Sequence, residues 1–182
     1  MSYCTSQYWK FGGAKTKPAV DLLHRAVAHI DDLETVHSVL DLGCGTGHLT
    51  EMLCRTFPSA HVEGIDSSSD MIIHALRDNH ASELKERMSF RVTTAETESV
   101  AVREKYDVVY SNATLHWCVN HETLLPNIIH NLIKPHGVLA IQMPDTRMQA
   151  SHLLMLRAAE NMGVYDKVKD VRIPRSDNSP EW

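Results

Sequence analysis

A chain of 182 residues, 43% hydrophobic and 23% charged, carries apolar material for one globular domain. Its net charge of −5 speaks against a nucleic-acid partner, since phosphate binding needs clustered lysine and arginine. No apolar run approaches the ~20 residues that cross a bilayer, and Met1 to Lys10 has no apolar signal core, so the expectation is a cytoplasmic protein with no membrane partner.

Residues 1–17 read as an N-terminal aromatic segment, Tyr8-Trp-Lys-Phe followed by Gly12-Gly13, able to act as a lid. From Thr16 to Ile30, Leu22, Leu23, Ala26, Val27 and Ile30 recur at helical spacing, with Pro18 near the helix start and Thr16 or a neighbour as its cap. Val36 to Leu42 predicts a first strand, and Gly47 to about Phe57 a helix that Pro58 ends. His61 to Asp66 is a second strand, Asp70 to about Asp78 a helix, and Met88 to Val92 a short third strand. Tyr106 to Asn112 is apolar enough for the centre of a parallel sheet. His121 to Ile133 is helical, Lys134-Pro-His-Gly137 a turn, Val138 to Met143 a fifth strand, and Ala150 to Met162 a last helix.

Strands alternating with helices imply right-handed crossovers and a mostly parallel sheet with helices on both faces. The α/β domain then runs over residues 18–162, and residues 163–182 form a polar tail with no clear strand. The fifth strand is left as an unpaired edge, which would permit self-association. The four cysteines are scattered without a C-x-x-C pair, as suits free thiols in a reducing compartment. The twelve histidines show no ligand spacing, so no metal is expected.

The most informative stretch is Val39-Leu-Asp-Leu-Gly-Cys-Gly-Thr-Gly47, a buried strand running into a glycine-rich turn. Gly43, Gly45 and Gly47 let the backbone approach a ligand where a Cβ would collide, and the next helix aims its N-terminus at the same crevice. Asp66 ends the following strand about 20 residues on, where an acid can bind ribose hydroxyls, though with Ser67-Ser-Ser69 behind it the same acid could cap a helix. Dinucleotide sites use G-x-G-x-x-G around a pyrophosphate. Here the pattern is G-x-G-x-G with Asp41 two residues before it, and an acid at that place suits an ammonium group instead. S-adenosylmethionine carries such a group and a sulfonium.

On these residues the chain resembles the class I S-adenosylmethionine-dependent methyltransferases. The resemblance implies a Rossmann-like three-layer sandwich with strand order 3-2-1-4-5. It implies a donor site built from Asp41, Gly43, Cys44, Gly45, Gly47, Asp66, Ser67, Ala95, Glu96 and Asn112. Glu96 is the choice for the adenine amino group, with Glu98 two residues on as its competitor. Trp117 is either core or a wall of the sulfonium pocket through a cation–π contact. The Asn/Asp-Pro-Pro-aromatic sequence of enzymes that methylate base amino groups is absent after Asn112.

Asn112-Ala-Thr-Leu-His-Trp117, Gly137 to Asp145 and the early Tyr8-x-x-Phe11 followed by Lys17 to Leu23 are similar to the trans-aconitate 2-methyltransferase family, from about Tyr8 to Ala159. This chain has His116 where that family has Gln, and lacks its C-terminal portion, so a truncated form is expected. The resemblance implies methyl transfer to a carboxylate of a small organic acid, trans-aconitate first, giving a monomethyl ester. A carboxylate is ionised at neutral pH, so no catalytic general base is expected. His116, Trp117, Arg147, His152, Tyr8 and Trp9 are the candidates for holding the acid. The alternatives are a methyltransferase for another small acceptor, or a non-catalytic domain that binds the cofactor or a partner.

Overall fold

The structure, a computed structural model, describes residues 12–101, 105–144 and 150–168. The chain divides into two compact units, Met1–Met143 and Pro144–Trp182. In the first, β1 (Ser38–Leu42), β2 (His61–Asp66), β3 (Met88–Val92), β4 (Tyr106–Asn112) and β5 (Ile133–Gln142) form one sheet in the order β3-β2-β1-β4-β5. Every pairing is parallel. This is the Rossmann-like arrangement expected from alternating strands and helices.

Alternate side chains of the central strands feed two cores. Val39, Val62, Val108 and Tyr110 pack with Leu23 and Ala26 of α1 (Gly12–Val27) and with Leu53, Cys54 and Phe57 of α2 (His48–Thr56). Leu40, Leu42 and Val109 face the other way, against Leu115 and against Leu124, Ile128 and Leu132 of α5 (His121–Asn127) and the turn after it. The strands are apolar on both sides because helices cover both. α3 (Ser69–Asn79) and α4 (Ala95–Ala101) complete the layers.

Several boundaries differ from expectation. β1 starts at Ser38, because Leu33–Thr35 winds as a short 3₁₀ helix with Asp32 as its cap and Val36 closing it. α1 begins at Gly12, so Pro18 lies inside it and residues 12–17 belong to a helix. A proline keeps helical φ and costs only its own hydrogen bond and some crowding, so it is a weaker stop than its reputation.

The third change lies between β4 and β5. After α5, which contains Pro126, Ile128–Leu132 opens into a π turn, whose Leu132 carbonyl accepts from the Lys105 N–H. β5 then starts at Ile133 opposite Tyr106, and pairing resumes only at Val138 opposite Val108. Lys134-Pro-His-Gly137 is therefore a bulge within the strand, with His136 at φ 66°. Proline is tolerated there because an edge needs no inner donor. Gly137 is required because a Cβ would come 2.6 Å from the Ile133 side chain. Lys134 Nζ holds the bulge down through Asp107 at 3.0 Å. In the second unit, α6 (Ala150–Asn161) and α7 (Tyr165–Val168) are joined by Gly163, at φ 63°.

Arg87 is a structural residue that no local pattern announces. Its guanidinium donates to the carbonyls of Phe57, Pro58, Ala60 and Cys54 at 2.8–3.1 Å, so it caps the carboxyl end of α2 and locks the loop into β2. We expect Arg87→Ala to lower stability to urea by about 2 kcal/mol, and Arg87→Lys to recover little, because one ammonium cannot reach four carbonyls.

Candidate functional site

The crevice lies at the carboxyl ends of β1, β2 and β4. The turn after β1 runs through three glycines with positive φ, at 85° for Gly43, 55° for Gly45 and 80° for Gly47. They are glycine for different reasons. A Cβ on Gly43 would overlap the Thr114 side chain, and one on Gly47 would lie 2.7 Å from Asn79 Nδ2 and 2.8 Å from the Phe90 ring. A Cβ on Gly45 would meet nothing within 4 Å among the described residues. Only Gly45 thus leaves its backbone open to a ligand, and the other two glycines serve packing.

Asp66, at the end of β2, accepts the Gly45 N–H at 3.0 Å and the Ser68 N–H at 2.9 Å. It ties the turn to the loop before α3. The α3 cap itself is Ser68, whose Oγ accepts from Met71 N at 3.3 Å. Two accepted bonds leave the carboxylate further lone-pair directions for a ligand's hydroxyls. Ser67 is exposed beside it.

Asp41 is 1% exposed on β1, and its carboxylate accepts the Thr50 hydroxyl of α2 at 2.6 Å. Burial pushes its pKa up to about 7, against the Thr50 hydrogen bond and helped by the Asp66 charge. Cys44 is also buried, and burial with the charges of Asp41 and Asp66 keeps its thiol protonated, so it is a wall and no nucleophile.

Asn112 ends β4, and its Oδ1 is buried without a hydrogen-bond partner among the described residues. Thr114 folds back, its hydroxyl donating to the carbonyls of Asn112 at 3.1 Å and Gly43 at 3.3 Å. His116 Nδ1 is likewise buried and unpartnered, and burial lowers the imidazole pKa, which favours the neutral ring. The Trp117 ring sits 4.8 Å from it, centroid to centroid, and is 49% exposed.

Beyond β3, Ala95 is buried and Glu96 exposed at the start of α4, with no hydrogen bond to the Glu96 side chain among the described residues. Glu98 is 1% exposed and spoken for, pairing with Arg91 at 2.8 Å and accepting from Tyr106 Oη at 3.3 Å. The same network holds Glu63. Burial raises the Glu63 pKa, but hydrogen bonds from Lys105, Tyr106 and Arg91 outweigh that and bring it down to about 2.

Tyr8, Trp9 and Arg147 lie outside the described residues, and His152 falls on α6 of the second unit with its side chain outside them. Among the described residues, no group of three or more His, Cys, Asp or Glu is placed to hold a metal, and no helix is long and apolar enough to cross a membrane. A groove of about 450 Å³ lined by Ile129, His130, Ile133 and Leu139 lies beside the β5 bulge, at the other end of the strands.

The crevice thus gathers two carboxylates, an orphaned amide oxygen and an open stretch of backbone. The side chains are acceptors, with no lysine or arginine among the described residues of the crevice, and they fit a ligand rich in hydroxyl and ammonium donors better than a phosphate.

Residues 34–177 match the family described as methyltransferase domain. The chain belongs to this family. It is 36% identical over 169 residues to a trans-aconitate 2-methyltransferase of Klebsiella pneumoniae (strain 342), covering 93% of this chain and 61% of that protein. This chain therefore spans about three fifths of the length of the curated relatives it matches. Its fold superposes on phosphoethanolamine N-methyltransferase 2 of Haemonchus contortus in complex with S-adenosyl-L-methionine. That match has a TM-score of 0.61 at 21% identity and covers 83% of this chain and 36% of that one. It also superposes on a coclaurine N-methyltransferase bound to N-methylheliamine and SAH, with a TM-score of 0.59 at 25% identity, covering 71% and 36%.

Within this methyltransferase domain, sequence reasoning missed Thr50, Thr114 and Asn79. Thr50 was recoverable as a small hydroxyl in the first turn of the helix after the glycines, on the side that meets β1. Thr114 and Asn79 act across 71 and 33 residues of chain, so no local pattern exposes them.

The glycines give a direct test. Gly43→Ala should cost on the order of 3 kcal/mol in urea unfolding, through overlap with Thr114 and left-handed strain, whereas Gly45→Ala should cost about 1 kcal/mol, through strain alone. Asp41 gives a second. Its folded pKa lies above the unfolded value, so the stability that Asp41 contributes is lost as pH rises from about 4 to about 7 and stays lost above that. Asp41→Asn should therefore raise the unfolding midpoint at pH 8 and change it little at pH 4.

Proposed function

We propose that this chain binds S-adenosylmethionine in the β1–β2–β4 crevice and transfers its methyl group to a carboxylate of a small organic acid, with trans-aconitate as the first candidate. The observation that carries the donor half is the open backbone at Gly45, tied to the Asp66 carboxylate at the end of β2. The acceptor half is supported by the likeness to trans-aconitate 2-methyltransferases and rests on that likeness.

In this reading Asp66 and the Gly45 backbone hold the ribose, with Gly43, Gly47 and Cys44 shaping the turn and Ser67 beside it. Asp41 and the orphaned Asn112 Oδ1 receive the ammonium group. Ala95 and Glu96 border the adenine, and the commitment of Glu98 to Arg91 favours Glu96 over it. S-adenosylmethionine, when bound, supplies a methyl group on a positively charged sulfur. The chain's work is orientation and exclusion of water, worth up to about 7–11 kcal/mol where reacting groups are held in line. No general base is needed, because the acceptor is already an anion. His116, kept neutral, offers the acid a hydrogen bond, and the exposed face of Trp117 lies beside it. Tyr8, Trp9, Arg147 and His152 are proposed as further anchors.

Calorimetric titration with S-adenosylhomocysteine tests the donor site. Asp66→Ala should weaken binding by about 1.5–3 kcal/mol, and unchanged affinity would move the ribose contact elsewhere. Turnover on trans-aconitate, with monomethyl ester as product, tests the acceptor. Donor binding without turnover on it would leave the methyltransferase reading and remove this substrate.

A further inference from the structure

The buried carboxyl of Asp41 is poorly matched to its protein surroundings. Among the described residues it accepts one hydrogen bond, from the neutral hydroxyl of Thr50, and it is 1% exposed. The parallel register sets Asp41 opposite Gly64, so Asp66 stands two residues further along the neighbouring strand, a second carboxylate on the same side of the turn. The other titratable groups around it are acids as well. Cys44 follows in the turn and Tyr110 stands on β4, its phenol donating to the Ala19 carbonyl at 2.7 Å. On α2, His48 is exposed and Glu51 is committed to Arg55. Among the described residues no cation offsets a charge on Asp41, and a buried charge without an opposite partner gives up its ionisation.

We propose that Asp41 exchanges a bound proton for the ammonium group of the incoming ligand, so that donor binding releases a proton to solvent. The proposal rests on the donor site described above. The proton leaves the carboxyl oxygen for the buffer, the ligand's ammonium keeps its own protons, and the buried charge ends balanced. The exchange makes Asp41 a charge filter: a ligand with no cation there cannot displace the proton, and a phosphate would meet a carboxyl group backed by Asp66. The raised pKa of Asp41 agrees with a carboxyl that is largely protonated below neutrality.

The test is calorimetry of the 182-residue chain with S-adenosylhomocysteine, in buffers of low and high ionisation enthalpy, at pH 6 and pH 8.5. Nearly one proton should be released at pH 6 and almost none at pH 8.5, with affinity falling about tenfold per pH unit below neutrality. Asp41→Asn should bind with that release and that pH dependence gone. Methylthioadenosine, which has no amino acid portion, should bind without release in the native chain. Binding at pH 6 with no released proton, or release that persists in Asp41→Asn, would overturn the exchange while leaving the donor site standing. No binding of either ligand at any pH would instead overturn the donor site, and the exchange with it.

Discussion

The seat of Thr114 on Gly43 sets the geometry of everything above the sheet. The Thr114 side chain occupies the space a Cβ at Gly43 would need, and its hydroxyl reaches the carbonyls of both Gly43 and Asn112. The end of β4 is thereby clamped to the start of the glycine turn. Ser111 adds a second clamp one residue earlier, its hydroxyl donating to Leu42 O at 2.9 Å. With the turn pinned there and to Ile65 O through the Gly43 and Cys44 N–H groups, the chain can rise only at Gly45, where Asp66 catches it. The open backbone is a consequence of packing on both sides of it.

Such a crevice carries polar groups at a cost to the fold. Among the described residues Asp41 is buried under the turn with one neutral donor, while Asn112 Oδ1 and His116 Nδ1 are buried with none. Orphaned acceptors and an unbalanced carboxyl each lower stability, and a fold selected for stability alone would replace them with apolar groups. The contrast with Glu63 is informative. That carboxylate is largely buried too, at 14% exposed, yet Arg91, Lys105 and Tyr106 satisfy it, and its pKa falls where that of Asp41 rises. A satisfied acid reads as structure, an unsatisfied one at a strand's carboxyl end as a site awaiting its ligand.

Three of the five strands were legible to the residue because each was a short run with a clear punctuator. β2, β3 and β4 fall on the residues their patterns marked. The errors lie where one residue type serves two ends. Pro18 reads as a helix start and sits inside α1, and Lys134-Pro-His-Gly137 reads as a turn and is a bulge in β5. The local backbone is as punctuated as expected; what the strand does on either side depends on β4, which a local window does not contain. In the site, Asp41, the glycines and Asp66 were legible because their chemistry is compressed into one turn and one strand end. That Gly43 and Gly47 answer to Thr114, Asn79 and Phe90 was not, because those contacts span tens of residues.

The donor and acceptor halves of the site differ in what determines them. The donor half is built from strand ends and a turn whose positions follow from sheet register, so a shared fold carries it from one relative to another. The acceptor half hangs on the 3₁₀ turn Leu115–Trp117, which no strand holds. That turn is fixed instead by the packing of fully buried Leu115 and by the hydrogen bond between the Leu115 carbonyl and His121 Nε2 at 2.7 Å. Related folds here act on phosphoethanolamine and on coclaurine, according to their names, so fold does not choose the acceptor. In the proposed reading the choice falls to what His116 and Trp117 present. A neutral imidazole beside a half-exposed indole gives a polar hydrogen bond within an aromatic wall and no fixed positive charge. Under the carboxylate reading proposed above, an acid with several carboxylates takes its cation from residues beyond this turn, and Arg147 is among those proposed for it.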